Sequence, residues 1–234
     1  MDLFESLLDA WPQLWSGIQI TLQLSLGGAA LAFVLAVALG LASISEIGLL
    51  RGTSRVLVEF FRGTSLVVQL FWLFFVLPQL GFRLESMAAG IVALGLNYGA
   101  YGAEVVRGSL NAVPKAQWEG TTALSMPWVT KMRRIIWPQA WALMLPGLNN
   151  LMVMLVKGTS LALLIFLHDL TFVVDNLRRT EGTYVAFGLG FALYYLISLG
   201  FSAALRLLER RAQRRLGLAP TKAQTTQATA GAVA

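Results

Sequence analysis

The chain has 234 residues, of which 56% are hydrophobic and 13% are charged, and its mean hydropathy is +0.67. This composition is too apolar for an ordinary soluble domain. The net charge of +6 comes from basic residues between apolar segments and does not call for a nucleic-acid partner. Cysteine is absent and His168 is the only histidine, which excludes disulfides, thiolate metal ligands and multi-histidine metal sites. We therefore predict an integral membrane protein without a metal site.

Five stretches of the chain contain no Asp, Glu, Lys or Arg. A spanning helix needs about 20 apolar residues to cross a hydrocarbon core of about 30 Å, and only the third stretch is marginal in length. We predict an all-α membrane protein with five transmembrane helices. The first stretch is not read as a cleaved signal peptide, because acidic residues precede it and its apolar run is too long. The five stretches are residues 10–45, 63–82, 86–103, 135–156 and 182–205.

The positions of Lys and Arg predict the orientation, because loops on the cytoplasmic side are enriched in these residues. The segment before the first stretch has none, and the segments after the first, third and fifth stretches together hold most of them. This pattern places the amino terminus outside and the carboxyl terminus in the cytoplasm. We expect an outer segment at 1–13, a membrane domain at 14–212 and a disordered cytoplasmic tail at 213–234, where Ala, Thr and Gln predominate.

The segment at 107–137 has the features of an exposed helical loop in the cytoplasm. Pro114 suits the first turn of a helix, and Pro127 interrupts that helix before a second short one. Glu119 is the only carboxylate between 107 and 134, among five basic residues, and would serve as an ion-pair anchor for a partner. Gly120 would let a partner backbone approach closely. Alternatively, the loop lies on lipid headgroups and is held there by its tryptophans.

Polar side chains within the predicted spans mark a candidate substrate path, because polar groups are costly in lipid and usually face a cavity or a partner. Asn97, Tyr101 and Glu104 fall on one face of a helix. For a zwitterion, Lys157 and nearby hydroxyls would receive the carboxylate, and Glu104 would receive the cation. The path candidates are Thr64, Ser65, Gln69, Asn97, Tyr101, Glu104, Asn149, Asn150, Lys157, Thr159 and Ser160.

Structural roles are alternatives for the same residues. Glu104 and Arg107 are three residues apart and would suit an ion pair. Asn149 and Asn150 would bond between helices without touching a substrate. Lys157 would extend to the outer headgroups. The residues alone leave both sets of roles open.

Several motifs together resemble the permeases of ATP-binding cassette (ABC) importers. The order PKAQWEGTTALS at 114–125, followed by WPQA at 137–140, is similar to the cytoplasmic EAA loop of the polar amino-acid permeases, which take up histidine, glutamate, glutamine, arginine and opines. The resemblance covers about residues 15–212 and is greatest to the permeases for ectoine and hydroxyectoine. Three further motifs follow in the family's order: FRGTSLVVQL at 61–70, YGAEVVRG at 101–108 and KGTSL at 157–161.

The resemblance implies a type I ABC importer permease fold in the bacterial inner membrane, with no enzyme activity in this chain. It implies four kinds of partner: a second permease, favoured as non-identical, two cytoplasmic ATPases, an extracytoplasmic substrate-binding protein and the lipid bilayer. ATP and Mg²⁺ would bind to the ATPases, and this sequence indeed lacks the phosphate loop GxxxxGK[ST], so no cofactor is expected here.

The resemblance also assigns roles within the loop. Glu119 would be the charged anchor to the ATPase and Gln117 a polar contact, with Gly120, Thr121 and Ser125 forming a face for close approach. This chain departs from the family in reading Glu-Gly-Thr where the family has EAA, and in having Ser125 where Gly is usual.

Other classes of membrane protein stay open. An ion-coupled secondary carrier would favour buried acidic groups and paired repeats, but only Glu104 lies near a span and no repeat is visible. An intramembrane hydrolase would need a nucleophile and a base, and only His168 with a serine such as Ser160 is available. A membrane scaffold or sensor without transport activity is a third alternative.

Overall fold

The computed structural model describes residues 3–215, which fold into nine α-helices joined by short turns. A π-helical turn followed by a 3₁₀ turn extends α3 to Leu80. A π-helical turn connects α6 to α7, and a 3₁₀ turn extends α7 to Ile165. The helices are α1 (Leu3–Ser43), α2 (Gly48–Gly63), α3 (Leu66–Phe71), α4 (Ser86–Asn111), α5 (Lys115–Ala123), α6 (Trp128–Lys131), α7 (Trp137–Gly158), α8 (Leu170–Glu181) and α9 (Thr183–Arg215).

Three of these helical segments are long and apolar enough to cross a membrane. A fourth crossing is obtained if α2 and the extended α3 form one bent span, with an angle of 100° between them. The predicted third span, 86–103, is helical within α4, but α4 does not reach the same apolar threshold. The count of five crossings and the orientation of the termini therefore stay predictions. The three segments are Ala10–Ser43, Trp128–Ile165 and Thr183–Arg214.

Two predicted domain boundaries fall inside helices. Helix α1 begins at Leu3, so residues 3–13 of the predicted outer segment are continuous with the first span. Helix α9 ends at Arg215, beyond the predicted start of the tail at 213. The remainder of the tail lies outside the described residues.

Helix α4 lies at the centre of the bundle and packs along α1. A Cβ atom placed on Gly99 would lie 2.9 Å from the Cβ of Leu35, and one on Gly102 would lie 2.6 Å from the Cβ of Ala36. Glycines at such contacts bring the backbones of membrane helices close together. The modest hydropathy of α4 follows from this position, because the helix faces protein along most of its length.

Buried apolar side chains form three groups within the bundle. The central group joins α1, α3, α4 and α7, and Leu94 lies within it. A second group around Ile136 attaches the 107–137 loop to α1, α4 and α7. The third group, around Leu170, joins α8 to α1 and α9. These three side chains are at most 1% exposed, so each group is a packed core.

The loop is not separated from the predicted fourth span. The second short helix predicted after Pro127 does begin at Trp128, but a π-helical turn at Met132–Ile136 carries it directly into α7. Trp128–Ile165 is thus one helical segment of 38 residues. A π turn accommodates an irregular step without breaking a helix. The second short helix of the loop and the predicted fourth span, 135–156, therefore belong to the same helical segment.

We expect Gly99→Ala to destabilise the bundle. The new Cβ would meet the Leu35 side chain and, at 3.2 Å, the carbonyl oxygen of Ala32, which the backbone cannot readily move. Overpacking of this kind costs about 1–3 kcal/mol. The matched control is Gly108→Ala in the same helix, where no atom lies within 4 Å of the new Cβ. Thermal unfolding of the purified full chain in detergent measures both, and equal midpoints would contradict the close packing of α1 on α4.

Candidate functional site

Several of the predicted path residues meet at the bend between α2 and α3. Helix α2 ends at Gly63 and α3 begins at Leu66, so only two residues separate them. The last carbonyls of a helix have no intrahelical donor and need other partners. Thr64 supplies one, because its backbone N–H and its hydroxyl both donate to the carbonyl of Phe60, at 3.1 and 2.9 Å.

Gln69 and Asn97 supply the next donors. The side-chain amides of both residues donate to the carbonyl of Phe61, at 3.0 and 3.2 Å. Gln69 also donates to the hydroxyl of Thr64 at 2.7 Å. Both amide side chains are nearly buried, so their hydrogen bonds are well shielded from water. The three residues are therefore brought together by the bend itself.

Tyr101 completes this arrangement from α4. Its hydroxyl donates to the carbonyl of Arg62 at 3.3 Å, and the Arg62 guanidinium lies 5.3 Å from the centre of the Tyr101 ring. The shared helical face of Asn97 and Tyr101, predicted as a substrate face, thus binds protein backbone. Ser65, the remaining candidate here, is exposed and immediately precedes α3.

A small cavity adjoins the bend. It measures about 340 Å³ and is lined by Thr64 and Gln69 together with apolar side chains. The Oε1 atom of Gln69 is buried and accepts no hydrogen bond from any residue that the structure describes. This oxygen is the polar group at the bend that is left free for another donor.

Glu104 and Arg107 form an ion pair, which is the structural alternative to a substrate contact at Glu104. The Nε of Arg107 donates to both carboxylate oxygens of Glu104, at 3.3 and 3.2 Å, and both side chains are about one-third exposed. The Glu104 carboxylate is therefore occupied by a cation of its own helix.

A groove of about 570 Å³ lies between α7 and α9. Lys157 of α7 lines it, is exposed, and has no carboxylate within ion-pair distance among residues 10–214. The other polar residues along the groove come from α9, and they were not predicted from the sequence. Four of them recur at every fourth position, which was the available signal, because that spacing puts them on one helical face. The α9 residues are Tyr194, Tyr195, Ser198, Ser202 and Arg206.

The other predicted residues of α7 and its extension are dispersed. Thr159 is buried and its hydroxyl donates to the carbonyl of Val156 at 2.7 Å, while the Ser160 hydroxyl donates to the carbonyl of Lys157 at 2.8 Å. Asn150 is exposed. Asn149 is half-buried, and its buried Oδ1 accepts no hydrogen bond within the described part of the chain. Neither asparagine lines the α7–α9 groove.

Asp169 is a buried acidic residue beside the groove that was not among the predicted site residues. Its carboxylate caps α8 by accepting from the N–H of Phe172 at 3.1 Å and also accepts from the hydroxyl of Tyr194 at 3.1 Å. The next residue, Leu170, donates its N–H to the hydroxyl of Thr21 in α1 at 3.1 Å. Burial raises the pKa of the Asp169 carboxyl, and its hydrogen bonds partly oppose that rise. Asp169 thus ties one wall of the groove to α8, next to a contact with α1.

In the 107–137 loop, α5 is exposed around most of its circumference. Gln117, Glu119 and Gly120 are exposed. Thr121 is not, because it is only 1% exposed and its hydroxyl donates to the carbonyl of Trp118 at 2.7 Å. The predicted close-approach face therefore does not include Thr121, whose side chain is buried.

Ser125 ends α5 in the left-handed conformation, with a φ of 53°. Its N–H donates to the carbonyl of Thr122 at 2.9 Å, and the N–H of Met126 donates to that of Thr121 at 3.1 Å. This pair of bonds is the Schellman motif, in which the left-handed residue is usually glycine. The structure therefore explains why Gly is usual at this position in the family that the loop resembles.

Spanning helices, a polar groove and an exposed helical loop together define a multi-pass membrane subunit of a transport system. The sequence profile of the family described as "Binding-protein-dependent transport system inner membrane component" matches residues 28–214. The chain belongs to this family. It is accordingly an inner-membrane transport subunit and not an enzyme, as predicted.

Relatives support the same assignment. The chain is 41% identical over 210 residues to a probable amino-acid ABC transporter permease protein, y4tF, of Sinorhizobium fredii, with 87% of each chain covered. It is 33% identical over 206 residues to the L-cystine transport system permease protein TcyB of Bacillus subtilis, covering 87% of this chain and 88% of that one.

Solved structures confirm the fold. A chain from the crystal structure of an amino acid ABC transporter with histidines superimposes with a TM-score of 0.80 at 31% identity, covering 90% of this chain and 99% of that chain. An inward-facing MetNI methionine ABC transporter gives a TM-score of 0.75 at 18% identity, covering 86% and 96%, and supports the fold alone. The predicted type I ABC permease fold is therefore confirmed.

We expect Asn97→Leu to destabilise the chain, because it removes a buried donor from the carbonyl of Phe61. Loss of one partner from a buried hydrogen bond costs about 1–3 kcal/mol. The double variant with Gln69→Leu should be less stable than either single variant. Asn176→Leu is the control, since Asn176 is exposed on α8. Thermal unfolding in detergent measures the stability of each variant. An Asn97→Leu chain as stable as the control would show that the bend does not need this donor.

We also expect Ser125→Gly to strengthen the end of α5 and Ser125→Val to weaken it. A left-handed residue other than glycine costs about 1–2 kcal/mol, and a β-branched residue fits that conformation poorly. Ser125 is exposed, so packing changes should be small. Hydrogen exchange of the last-turn amides of α5 measures the effect. Unchanged protection in both variants would mean that the left-handed turn is not under strain.

Proposed function

We propose that this chain is the permease subunit of a binding-protein-dependent ABC importer for a polar amino acid or an amino-acid-derived compatible solute, with ectoine or hydroxyectoine favoured. The names of its relatives support amino-acid transport in general. The preference for ectoine rests on the sequence resemblance around 58–77 and 97–108. ATP and Mg²⁺ would bind to separate ATPase chains, so the permease itself would need no cofactor.

The observation that carries this proposal is one continuous helical segment that joins the exposed loop to the polar groove. Trp128 belongs to the loop, and Lys157 lines the groove, yet both lie on the segment Trp128–Ile165. At 1.5 Å per residue they are about 43 Å apart along that helix. A movement imposed on the loop would therefore be transmitted along a packed helix to the groove.

The exposed surface of α5 suits a protein cleft. Glu119 offers a negative charge, Gln117 a hydrogen-bonding amide and Gly120 a site without side-chain bulk. Leu124 and Val129 add apolar area beside it, being 74% and 67% exposed. This combination favours docking to a cytoplasmic ATPase over solvent exposure, since buried apolar area and a few charged anchors typify protein contacts.

The base of α5 is attached firmly enough to transmit force. Trp118 packs on the group of buried side chains around Ile136, and the Lys131 ammonium lies 6.0 Å from the centre of the Trp118 ring. Lys131 also donates to the hydroxyl of Thr122 at 3.2 Å. Helix α5 and the segment that begins at Trp128 would thus move together.

The groove between α7 and α9 is the part of the chain best suited to a zwitterion. Lys157 would receive the substrate carboxylate, with the hydroxyls of Tyr195 and Ser198 close by on the facing helix. Glu104 is already paired with Arg107 and would have to release it to receive a cation. We expect a second permease, favoured as non-identical, to close the open side of the path, and an external binding protein to deliver the solute.

Glu119→Lys tests the docking of the loop. We expect the ATPase no longer to co-purify with the variant. Glu119 is the only carboxylate among five basic residues of the loop, and a lysine in its place would repel the ATPase group that the carboxylate is proposed to attract. Glu46→Lys is the control, since Glu46 is also exposed and lies in the turn between α1 and α2. Affinity purification of the tagged chain from detergent-extracted membranes measures the bound ATPase. Full retention by Glu119→Lys would overturn the proposed anchor.

Uptake in cells that express the complete system tests the substrate. We expect uptake of labelled ectoine, and a loss of about tenfold or more in Lys157→Gln, because an unpaired ammonium contributes about 1.5–3 kcal/mol to a hydrogen bond with a carboxylate. Arg83→Gln, an exposed change outside the groove, should take up ectoine normally.

Two results would limit this proposal in different ways. Clear uptake of amino acids without ectoine would remove the ectoine assignment and leave the importer in place. Normal ectoine uptake by Lys157→Gln would show that the α7–α9 groove does not hold the carboxylate.

A further inference from the structure

Helix α2 has three distinct faces, and the residues that the structure describes cover only one of them. Ser54 and Val58 are 2% and 3% exposed and pack against the bundle, with the Ser54 hydroxyl donating to the carbonyl of Leu39 at 2.7 Å. A second face is apolar and exposed. Its residues are Leu49, Leu50, Val56, Leu57 and Phe60, which are between 40% and 82% exposed.

The third face of α2 is charged. Arg51, Arg55 and Arg62 lie at spacings of four and seven residues, which puts them on one side of the helix. Glu59 is the single carboxylate on α2, and neither Arg51 nor Arg55 forms an ion pair within residues 10–214. Two guanidinium groups therefore project from the chain without an ion-pair partner in its described part.

The angle of α2 to the following helix determines how these faces meet a membrane. α2 makes an angle of 100° with Leu66–Leu80. If Leu66–Leu80 runs close to the membrane normal, α2 lies nearly parallel to the membrane surface. Its 16 residues would then extend about 24 Å along that surface. A helix in this position presents one side to the acyl chains and another to the headgroups.

We propose that α2 is an interfacial helix that binds anionic phospholipid headgroups through Arg51 and Arg55, with its exposed apolar face inserted among the upper acyl chains. The charge and the apolar face of α2 both favour this occupant. Basic residues beside an apolar helix face are attracted to anionic lipid phosphates, whereas a protein partner of this face would leave the two guanidinium groups to find separate carboxylates.

Lipid binding would also act on the bend. The last turn of α2 carries the carbonyls of Phe61 and Arg62 that Asn97 and Tyr101 hold. An α2 fixed in the interface would therefore position α4 relative to the membrane surface. This inference depends on the membrane crossing of Leu66–Leu80 and is independent of the proposed substrate and ATPase.

Single cysteines allow a direct test, because the chain contains none of its own. A fluorophore is attached to Leu49→Cys or Val56→Cys on the apolar face, and to Glu59→Cys on the charged face as the matched control. The full-length chain, purified with its bound partners, is reconstituted in vesicles of phosphatidylglycerol and phosphatidylcholine at one to three. Lipids brominated on the acyl chain quench fluorophores in the membrane, and iodide quenches those in water.

We expect quenching by brominated lipid and protection from iodide at Leu49→Cys and Val56→Cys, with the reverse at Glu59→Cys. Quenching by iodide at the apolar-face positions would overturn the proposal, because that face would then lie in water. Protection from both quenchers would overturn it too, since a second protein, such as another permease subunit, would then cover the face.

A second measurement tests the headgroup specificity. Quenching at Val56→Cys is compared for brominated phosphatidylglycerol and brominated phosphatidylcholine at equal total content. We expect an excess of the anionic lipid that falls by about fivefold for each arginine removed in Arg51→Gln and Arg55→Gln. Arg210→Gln with Arg211→Gln, at the end of α9, is the control and should leave the excess unchanged. Equal quenching by the two lipids in the unaltered chain would refute the anionic site.

Discussion

The backbone carbonyls at the end of α2 are the constraint on which much of this structure depends. The chain turns by 100° between α2 and Leu66–Leu80, so the carbonyls of Phe61 and Arg62 lose their helical donors. Unpaired carbonyls are costly in a membrane, where no water replaces the missing bond. Asn97 and Tyr101 pair with them from α4. Helix α4 must therefore carry polar side chains to pair with these carbonyls. Its glycines let the same helix approach α1 closely.

The need to pair buried polar groups also distinguishes residues with structural roles from residues that are free to bind a substrate. Asp169 and Tyr194 bond to each other beside the groove, and Glu104 is paired with Arg107. Lys157 is different, because it is exposed in the groove without a carboxylate nearby in the described residues. A mobile zwitterion needs a group of this kind, whose charge is not already neutralised. We therefore propose that Lys157 receives the substrate carboxylate.

The sequence predicted the all-helical fold and the exposed loop, because apolar length and proline positions act locally, but it did not predict α2 or α8. It could not assign the face of Asn97 and Tyr101, since helical spacing shows which residues share a face but not what lies opposite. Thr121 was misplaced for a related reason: a small residue suits both a docking face and a buried contact. The groove on α9 was missed because its hydroxyls are spaced among aromatic and aliphatic residues, and only packing against α7 brings them to Lys157.

Transport by the reconstituted complex tests the central claim most directly. The permease pair and its ATPases are placed in proteoliposomes, with the binding protein and labelled solute outside, and uptake is measured with and without enclosed ATP. We expect uptake that requires enclosed ATP and persists when ionophores have dissipated all ion gradients. Uptake without ATP, driven by a proton or sodium gradient, would contradict it and make the chain an ion-coupled carrier.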